Sequence, residues 1–213
     1  MQLETQEVQV DSQFLWELER EAAERFLHEF VRQAWSIIEP AAEFVDNWHI
    51  RAICEHLEAV TDGRIENLII NVPPGCTKSL IVSVFWQVWS WIKNPASRWF
   101  NASYAQSLST RDSLRCRWVI ESQWFQDRWG DRFRFRGDEN LKTKFSNDKG
   151  GWRLSTSVGG VGTGEHPSFL VCLAGDSNII TEQGIRRIDE VVASQQLTKV
   201  LSFDHASGLP EWQ

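Results

Sequence analysis

The sequence lacks several features that mark whole classes of protein. No apolar run is long enough to cross a membrane: the longest, from Leu80 to Ile92, is short and interrupted by polar residues. The first 25 residues carry charges throughout, so a signal peptide is not indicated. The cysteines form no CxxC pair and no zinc-ligand spacing, which leaves a reduced compartment as the expectation; they are Cys54, Cys76, Cys116 and Cys172.

An excess of positive charge is also missing. The net charge is −7, which does not indicate a nucleic-acid-binding protein, although it leaves a local basic surface open. The 213 residues, 42% of them apolar, are enough for one full core or for one core and a fragment. Tryptophan is abundant, with twelve residues, and most of these are expected to pack in the core.

The first third of the chain has helical periodicity. An apolar residue recurs at every fourth position from Phe14 to Ile38, which predicts one long helix capped by Ser12 and ended by Pro40. A second helix is predicted after Asp46, and Gly63 ends it.

The pattern then alternates between strands and helices. Leu68–Val72 is a short apolar run typical of a buried parallel strand, and a helix is predicted from Ser79 to about Ile92. A strand over Arg98–Ser103 and a helix over Ser109–Glu121 follow. This order indicates an α/β protein with a doubly wound sheet.

The later segments are shorter. Residues 124–150 are predicted to be irregular, and two further strands and a glycine-rich loop follow: Trp152–Ser157, residues 159–164 and Ser168–Val171. Beyond Val171 the character changes to small-β organisation, with predicted strands at 179–181 and 199–203 and a short helix at 187–192. These observations predict a domain boundary between Val171 and Cys172.

The turn after the first predicted strand has the chemistry of a phosphate-binding loop. Backbone N–H groups and a helix N-terminus at Gly75-Cys76-Thr77-Lys78-Ser79 favour an anion. Lys78 could reach the β- and γ-phosphates, and the Ser79 hydroxyl could ligate Mg²⁺. The match to GxxxxGK[ST] is imperfect, since Val72 and Thr77 occupy the glycine positions. The alternative is a lysine at a helix N-terminus with no ligand, where its charge opposes the helix dipole.

Three segments together resemble the large subunit of tailed-phage terminases, the ATPase that packages DNA. They are NLIINVPPGCTKS at 67–79, NASYAQSLSTRD at 101–112 and STSVGGVGTG at 155–164, the last leading into Phe169-Leu-Val171. The resemblance covers residues 10–171 and implies part of a RecA-like P-loop ATPase sheet with flanking helices. It implies that ATP and Mg²⁺ are the cofactors, held by the loop 75–79 with Ser79 on the metal.

The resemblance gives weaker roles to residues outside the loop. Trp48 is expected either near the adenine or in the core, and Arg111 either faces the nucleotide or a neighbouring subunit or is solvated. Four arginines could touch DNA phosphates or belong to a mixed-charge surface: Arg128, Arg132, Arg134 and Arg136.

The expected machinery of hydrolysis is incomplete. The family has an acidic Walker B segment after the strand that matches Ser168–Val171, whereas this strand runs into Cys172-Leu-Ala-Gly. Asp176 is the nearest carboxylate and fits the role poorly. The nuclease domain of a terminase is absent as well, so the chain alone is not expected to package or cut DNA.

Residues 172–213 resemble the start of an intein, a self-splicing Hint domain. CLAGDSNIITEQG at 172–184 is similar to the first intein motif, and 185–191 and 200–204 fit the opening strands. The resemblance implies that the Cys172 thiol attacks the Val171 carbonyl and forms a thioester. Taken alone, Cys172 would be a small buried hydrophobic residue.

The intein is incomplete too. Its Thr-x-x-His motif and terminal His-Asn are not found, and His205 is expected to lie in a turn. The expected partner is a complementary fragment that carries the rest of the intein and of the terminase. After assembly, the partners implied are the phage portal, the small terminase subunit and double-stranded DNA, in the host cytoplasm and without a membrane.

Three hypotheses follow from the sequence. The first is an N-terminal terminase precursor ending in part of an intein. The second is a nucleotide-binding module that does not hydrolyse, with an ordinary β-rich tail. The third is a truncated fragment with no stable fold.

Overall fold

The computed structural model describes most of the first 172 residues and short parts of the rest. The described residues are 11–73, 75–103, 105–157, 164–172, 178–187, 190, 194, 201–204 and 209–212. The architecture is mixed α/β, with a five-stranded sheet and helices packed against it. None of the helices described is long and apolar enough to cross a membrane.

The N-terminal helical region consists of two helices, so the prediction of one long helix is wrong. Helix α1 spans Ser12–Arg25 and α2 spans Leu27–Ile38, with Phe26 extended between them (φ −119°, ψ 123°). The break is stabilised because the Leu27 amide donates to Glu58 Oε1 at 2.6 Å. The cap is also different from the prediction, since Asp11 rather than Ser12 accepts the hydrogen bond from the Gln13 amide.

The second predicted helix is confirmed as α3, Trp48–Thr61. Gly63 follows it with φ +71°, a left-handed conformation that glycine adopts without a steric cost. The predicted buried strand Leu68–Val72 is wrong in two respects. The segment belongs to no strand, because it has no ladder partner among the described residues, and Ile69 is 93% exposed.

A single helical stretch, which we call the loop helix, follows the predicted phosphate loop. It consists of α4 (Lys78–Leu80), a π-helical turn (Ile81–Phe85) and α5 (Trp86–Lys93). Its buried face belongs to the main core. A π-helical turn inside a helix is rare and is often found at functional sites.

The next predicted strand is present with its predicted bounds, and the predicted helix follows it. Strand β1 is Arg98–Ser103, as predicted, and α6 (Gln106–Glu121) and α7 (Gln123–Trp129) follow it. Residues 124–150 are not irregular, contrary to the prediction, because they contain most of α7 and two strands, β2 (Phe135–Asn140) and β3 (Lys144–Asn147).

The sheet is mixed rather than wholly parallel. Strands β4 (Trp152–Ser157) and β5 (Phe169–Cys172) both pair in parallel with β1, in the order β2-β3-β4-β1-β5. Strand β3 pairs antiparallel with β4 on one side and with β2 on the other. Because β1 lies between β4 and β5, the carboxyl ends of all three strands meet at one edge of the sheet.

Aromatic packing holds the loop helix to the sheet. Trp99 on β1 stacks on Phe169 of β5 with ring centroids 4.5 Å apart, and Trp86 meets both rings edge-on. Each such aromatic pair stabilises the fold by about 0.5–1.5 kcal/mol in addition to the free energy gained by burying the rings. Tryptophan packing is therefore confirmed for several residues, including the fully buried Trp89, Trp91, Trp99 and Trp129.

Beyond Cys172 the structure describes two small hairpins. Strands β6 (Asn178–Thr181) and β7 (Gly184–Arg187) pair with each other, and so do β8 (Leu201–Asp204) and β9 (Leu209–Trp212). The predicted strands at 179–181 and 199–203 overlap β6 and β8. Most of the helix predicted at 187–192 lies outside the described residues, and Arg187 itself ends β7.

Candidate functional site

The predicted phosphate loop has the backbone of a tight anion-binding turn. Gly75 has φ +83° and Thr77 has φ +60°, and Lys78 begins the loop helix immediately afterwards. Thr77 is the only residue other than glycine with a positive φ in the described part of the chain. This conformation is costly for a β-branched residue, and glycine is the residue that adopts it freely.

Lys78 is half-buried in this loop. Burial lowers the pKa of its ammonium group, and the Cys76 thiol acts weakly in the opposite direction. Within the described part of the chain, no carboxylate lies within 4 Å of the Lys78 ammonium. A partly desolvated cation without an acidic partner favours an incoming anion. Ser79, one residue later, is exposed and accessible to a ligand.

Two buried side chains hold the loop helix in place by hydrogen bonds to Ser83 and Gln87. Arg153 on β4 is fully buried, and its Nη1 donates to the Ser83 carbonyl at 2.9 Å and to the side-chain oxygen of Gln87. The Cys116 thiol of α6 donates to the same Ser83 carbonyl at 3.4 Å. These bonds satisfy carbonyl groups at the π-helical turn, so they fix the helix that starts at Lys78.

Arg153 was missed by sequence reasoning. It stands alone in the strand sequence WRLSTS, where an arginine ordinarily indicates a solvent-facing position. Its burial depends on the acceptors that the loop helix and Ser155 supply. No pattern in the sequence brings those residues together.

The loop opens into a cleft with a cavity volume of about 990 Å³. Lys78, Ser79 and Arg111 lie in its lining, with the segment 68–70 on one side and the strand β5 on the other. The chain has a net charge of −7, but cations outnumber carboxylates in the lining of this cleft. The charged lining residues are Lys78, Arg111, Arg153, Glu66 and Asp112. The cleft is thus relatively cationic and has apolar walls.

Polar atoms without partners line the inner part of the cleft. Asn101 is 3% exposed, and neither its Oδ1 nor its Nδ2 makes a hydrogen bond. The Nη2 of Arg153 is likewise buried without a partner. Buried polar groups are normally paired, so this part of the cleft has unused hydrogen-bonding capacity.

Trp48 does not join this site. It begins α3, is 78% exposed, and is absent from the lining of the cleft. The alternative that Trp48 packs in the core is therefore wrong. Its proposed place beside an adenine ring stays a prediction.

Arg111 does line the cleft, where it forms an ion pair with Asp112 at 2.9 Å. Acidic partners are also present among the clustered arginines: Arg132 pairs with Glu24 at 2.8 Å, and Arg128 lies 4.0 Å from Glu19. These contacts favour the mixed-charge interpretation of that surface over a dedicated phosphate-binding cluster.

The predicted splice junction lies at the edge of the sheet. Val171 and Cys172 are the last residues of β5, in register with Asn101 and Ala102 of β1. Cys172 is exposed, so its thiol is accessible, and both junction residues line the same cleft as Lys78. The structure therefore brings Lys78, Ser79 and Cys172 to one cleft.

Asp176, His205 and most of the glycine-rich loop lie outside the described residues. Among the residues that are described, no cluster of three or more histidine, cysteine or acidic side chains could hold a metal ion.

The chain was compared with protein-family models, with curated proteins and with solved structures, and none of these comparisons gives a match.

Proposed function

We propose that this chain is the N-terminal part of a DNA-packaging terminase large subunit, interrupted after Val171 by the first part of an intein. Its ATPase part binds ATP with Mg²⁺ through the loop Gly75–Ser79. The observation that carries the proposal is the loop backbone, in which Thr77 adopts a left-handed conformation directly before Lys78. This is the position that the phosphate-loop pattern reserves for glycine.

The electrostatics of the loop support the same ligand. Burial of Lys78 lowers its pKa, which means that the ammonium form gains from an anion placed beside it. In this proposal a triphosphate supplies that anion, and the Ser79 hydroxyl, which is exposed, ligates its Mg²⁺.

In the second part of the proposal, Cys172 begins protein splicing. Its sulfur attacks the carbonyl carbon of Val171, the C–N bond to Cys172 breaks, and the thiol proton passes to the released amine. The product is a thioester between Val171 and the cysteine side chain. The exposure of Cys172 and its place at an open sheet edge support this role.

Titration calorimetry with ATP and Mg²⁺ tests the nucleotide part. We expect saturable binding to the wild-type chain and a loss of about a hundred-fold in affinity for Lys78→Ala, which corresponds to about 3 kcal/mol. Lys149→Ala, at an exposed lysine outside the cleft, is the matched control and leaves the affinity unchanged. Equal binding by Lys78→Ala and the wild type would contradict the assignment.

An alternative is a nucleotide-binding module that does not hydrolyse, with residues 172–213 as an ordinary tail. The observation that favours it is the tie between Cys172 and the ATPase sheet, since Cys172 continues the ladder of β5 with Ala102. It predicts that Cys172→Ala changes nothing even when a complementary fragment is present.

A further inference from the structure

Strand β5 is an unprotected edge of the main sheet. It pairs with β1 on one side, and on the other side the described part of the chain supplies no strand. Leu170, at its centre, is 66% exposed. An open edge presents unpaired N–H and C=O groups, which are a template for another strand.

The opposite wall of the cleft has the side-chain pattern of a strand without the pairing. Leu68, Ile70 and Val72 are half-buried against the core, whereas Ile69 and Asn71 between them are exposed. This alternation is that of an extended segment with one face on a core. Since 68–72 joins no ladder, its backbone groups are also available for pairing.

The cavity between the two walls has enough volume for a short strand. A strand residue in a packed sheet occupies about 160 Å³, given a rise near 3.3 Å, a strand spacing near 4.8 Å and a sheet thickness near 10 Å. The cavity volume of about 990 Å³ therefore accommodates roughly six residues. That length matches the walls, which are five residues over 68–72 and four residues in β5.

The side chains around the cleft indicate what kind of strand it accepts. The inner lining is apolar apart from a few groups, and among these Asn101 has both a free donor and a free acceptor. On the outer face Ile69 and Leu170 are exposed and flank the gap. A fitting strand is apolar on both faces, with one long polar side chain, such as that of glutamine, to reach toward Asn101 past β5.

We propose that this cleft receives one β-strand from a partner polypeptide, which pairs with β5 on one side and with 68–72 on the other. The inference goes beyond nucleotide binding. It depends on the proposed function only in identifying that partner as the complementary fragment, because the proposed splicing joins that fragment to Val171 near the end of β5. Strand addition to an open edge is a common mode of protein recognition.

Hydrogen exchange followed by mass spectrometry tests the proposal with a defined probe. The probe is an eight-residue peptide of valine and isoleucine around a central glutamine, with a lysine at each end for solubility, added at millimolar concentration to the full chain. The control peptide has proline at the centre and cannot pair continuously. We expect at least ten-fold slower exchange over both 68–72 and 169–172 with the probe and no change with the control.

Three substitutions make the test specific. Ile69→Asp places a charge on the exposed face of one wall and is expected to abolish the protection. The matched control is Val45→Asp, which also replaces an exposed β-branched residue by aspartate but lies outside the cleft, and it is expected to preserve the protection. Lys78→Ala leaves the peptide effect intact while it weakens ATP binding. The strand proposal and the nucleotide proposal can therefore fail independently.

The remaining outcomes contradict the proposal. Protection of 169–172 alone indicates simple edge addition, and protection of neither wall shows that no strand binds. Protection of both walls by ATP without peptide assigns the body of the cleft to the nucleotide. If exchange over the two walls slows only as the protein concentration rises, and sedimentation shows a dimer, the occupant of the cleft is a second copy of the chain.

Discussion

The proposed phosphate loop and the proposed splice junction line the same cleft, but they are built in different ways. The loop is defined by neighbouring residues, with Gly75 and Thr77 in left-handed conformations and Lys78 half-buried at the start of a helix. The junction is an exposed cysteine at the end of an edge strand. A turn conformation can be set within one segment, whereas the reaction proposed for Cys172 needs groups that come from elsewhere in the fold.

The two regions each contain a cysteine, and thiol labelling provides the sharpest comparison. Cys172 is exposed, whereas Cys76 in the loop is buried and its pKa is raised by burial. We expect iodoacetamide at pH 8 to modify Cys172 about a thousand-fold faster than Cys54, Cys76 and Cys116, because buried thiols react only after local opening. Mass spectrometry of tryptic peptides gives the rates.

Cys172→Ala is the control for this measurement and removes the fast phase without changing the slow one. Comparable rates at Cys76 and Cys172 would show that the loop is open in solution, and the contrast between the two regions would fail.

A second prediction concerns the support under the loop helix. Burial raises the pKa of the Cys116 thiol from an ordinary 9.0 to about 11, against a smaller lowering by Arg153. Between these values the unfolded chain loses the proton and the folded chain keeps it, so the free energy of unfolding falls as the pH rises. Replacing Cys116 by alanine is expected to reduce that fall by roughly 2–3 kcal/mol, measured by urea unfolding from pH 8 to pH 11.

Val119→Ala, at a fully buried residue of the same helix without an ionisable group, is the matched control; it lowers the free energy of unfolding but keeps the wild-type pH dependence. If Cys116→Ala leaves the dependence unchanged as well, the thiol is not buried against the loop helix as described.

The smallest effect concerns the loop backbone itself. Thr77→Gly is expected to raise the free energy of unfolding by about 1 kcal/mol, because glycine adopts the left-handed conformation without strain. Thr77→Ala retains a Cβ atom and is expected to gain no more than a few tenths of that. Urea unfolding distinguishes the two, and equal effects of glycine and alanine would contradict the backbone conformation described.

The sequence predicted the parts of the fold that depend on local patterns. Strand Arg98–Ser103 has the predicted bounds, and the helix before Gly63 has its predicted end. These elements have clear periodicity or a turn residue with a physical reason to be there. The sequence also predicted a helix start at Lys78 and Ser79, because a glycine-containing turn directly precedes them, and the helix begins at Lys78.

The failures have long-range causes. The break at Phe26 depends on Glu58, more than thirty residues away, and no local signal marks it. Leu68–Val72 reads as a buried strand because it is apolar, but pairing needs a neighbouring strand that the described residues do not provide. Arg153 was missed for the same reason, since its acceptors come from a helix seventy residues earlier.

Coexpression with the complementary fragment tests the central claim most directly, with intact-mass spectrometry of the products. The account predicts a ligated protein in which Val171 is joined to new sequence and residues 172–213 are removed, and it predicts that Cys172→Ala abolishes this product. An intact wild-type chain that still carries residues 172–213 after coexpression would contradict the account.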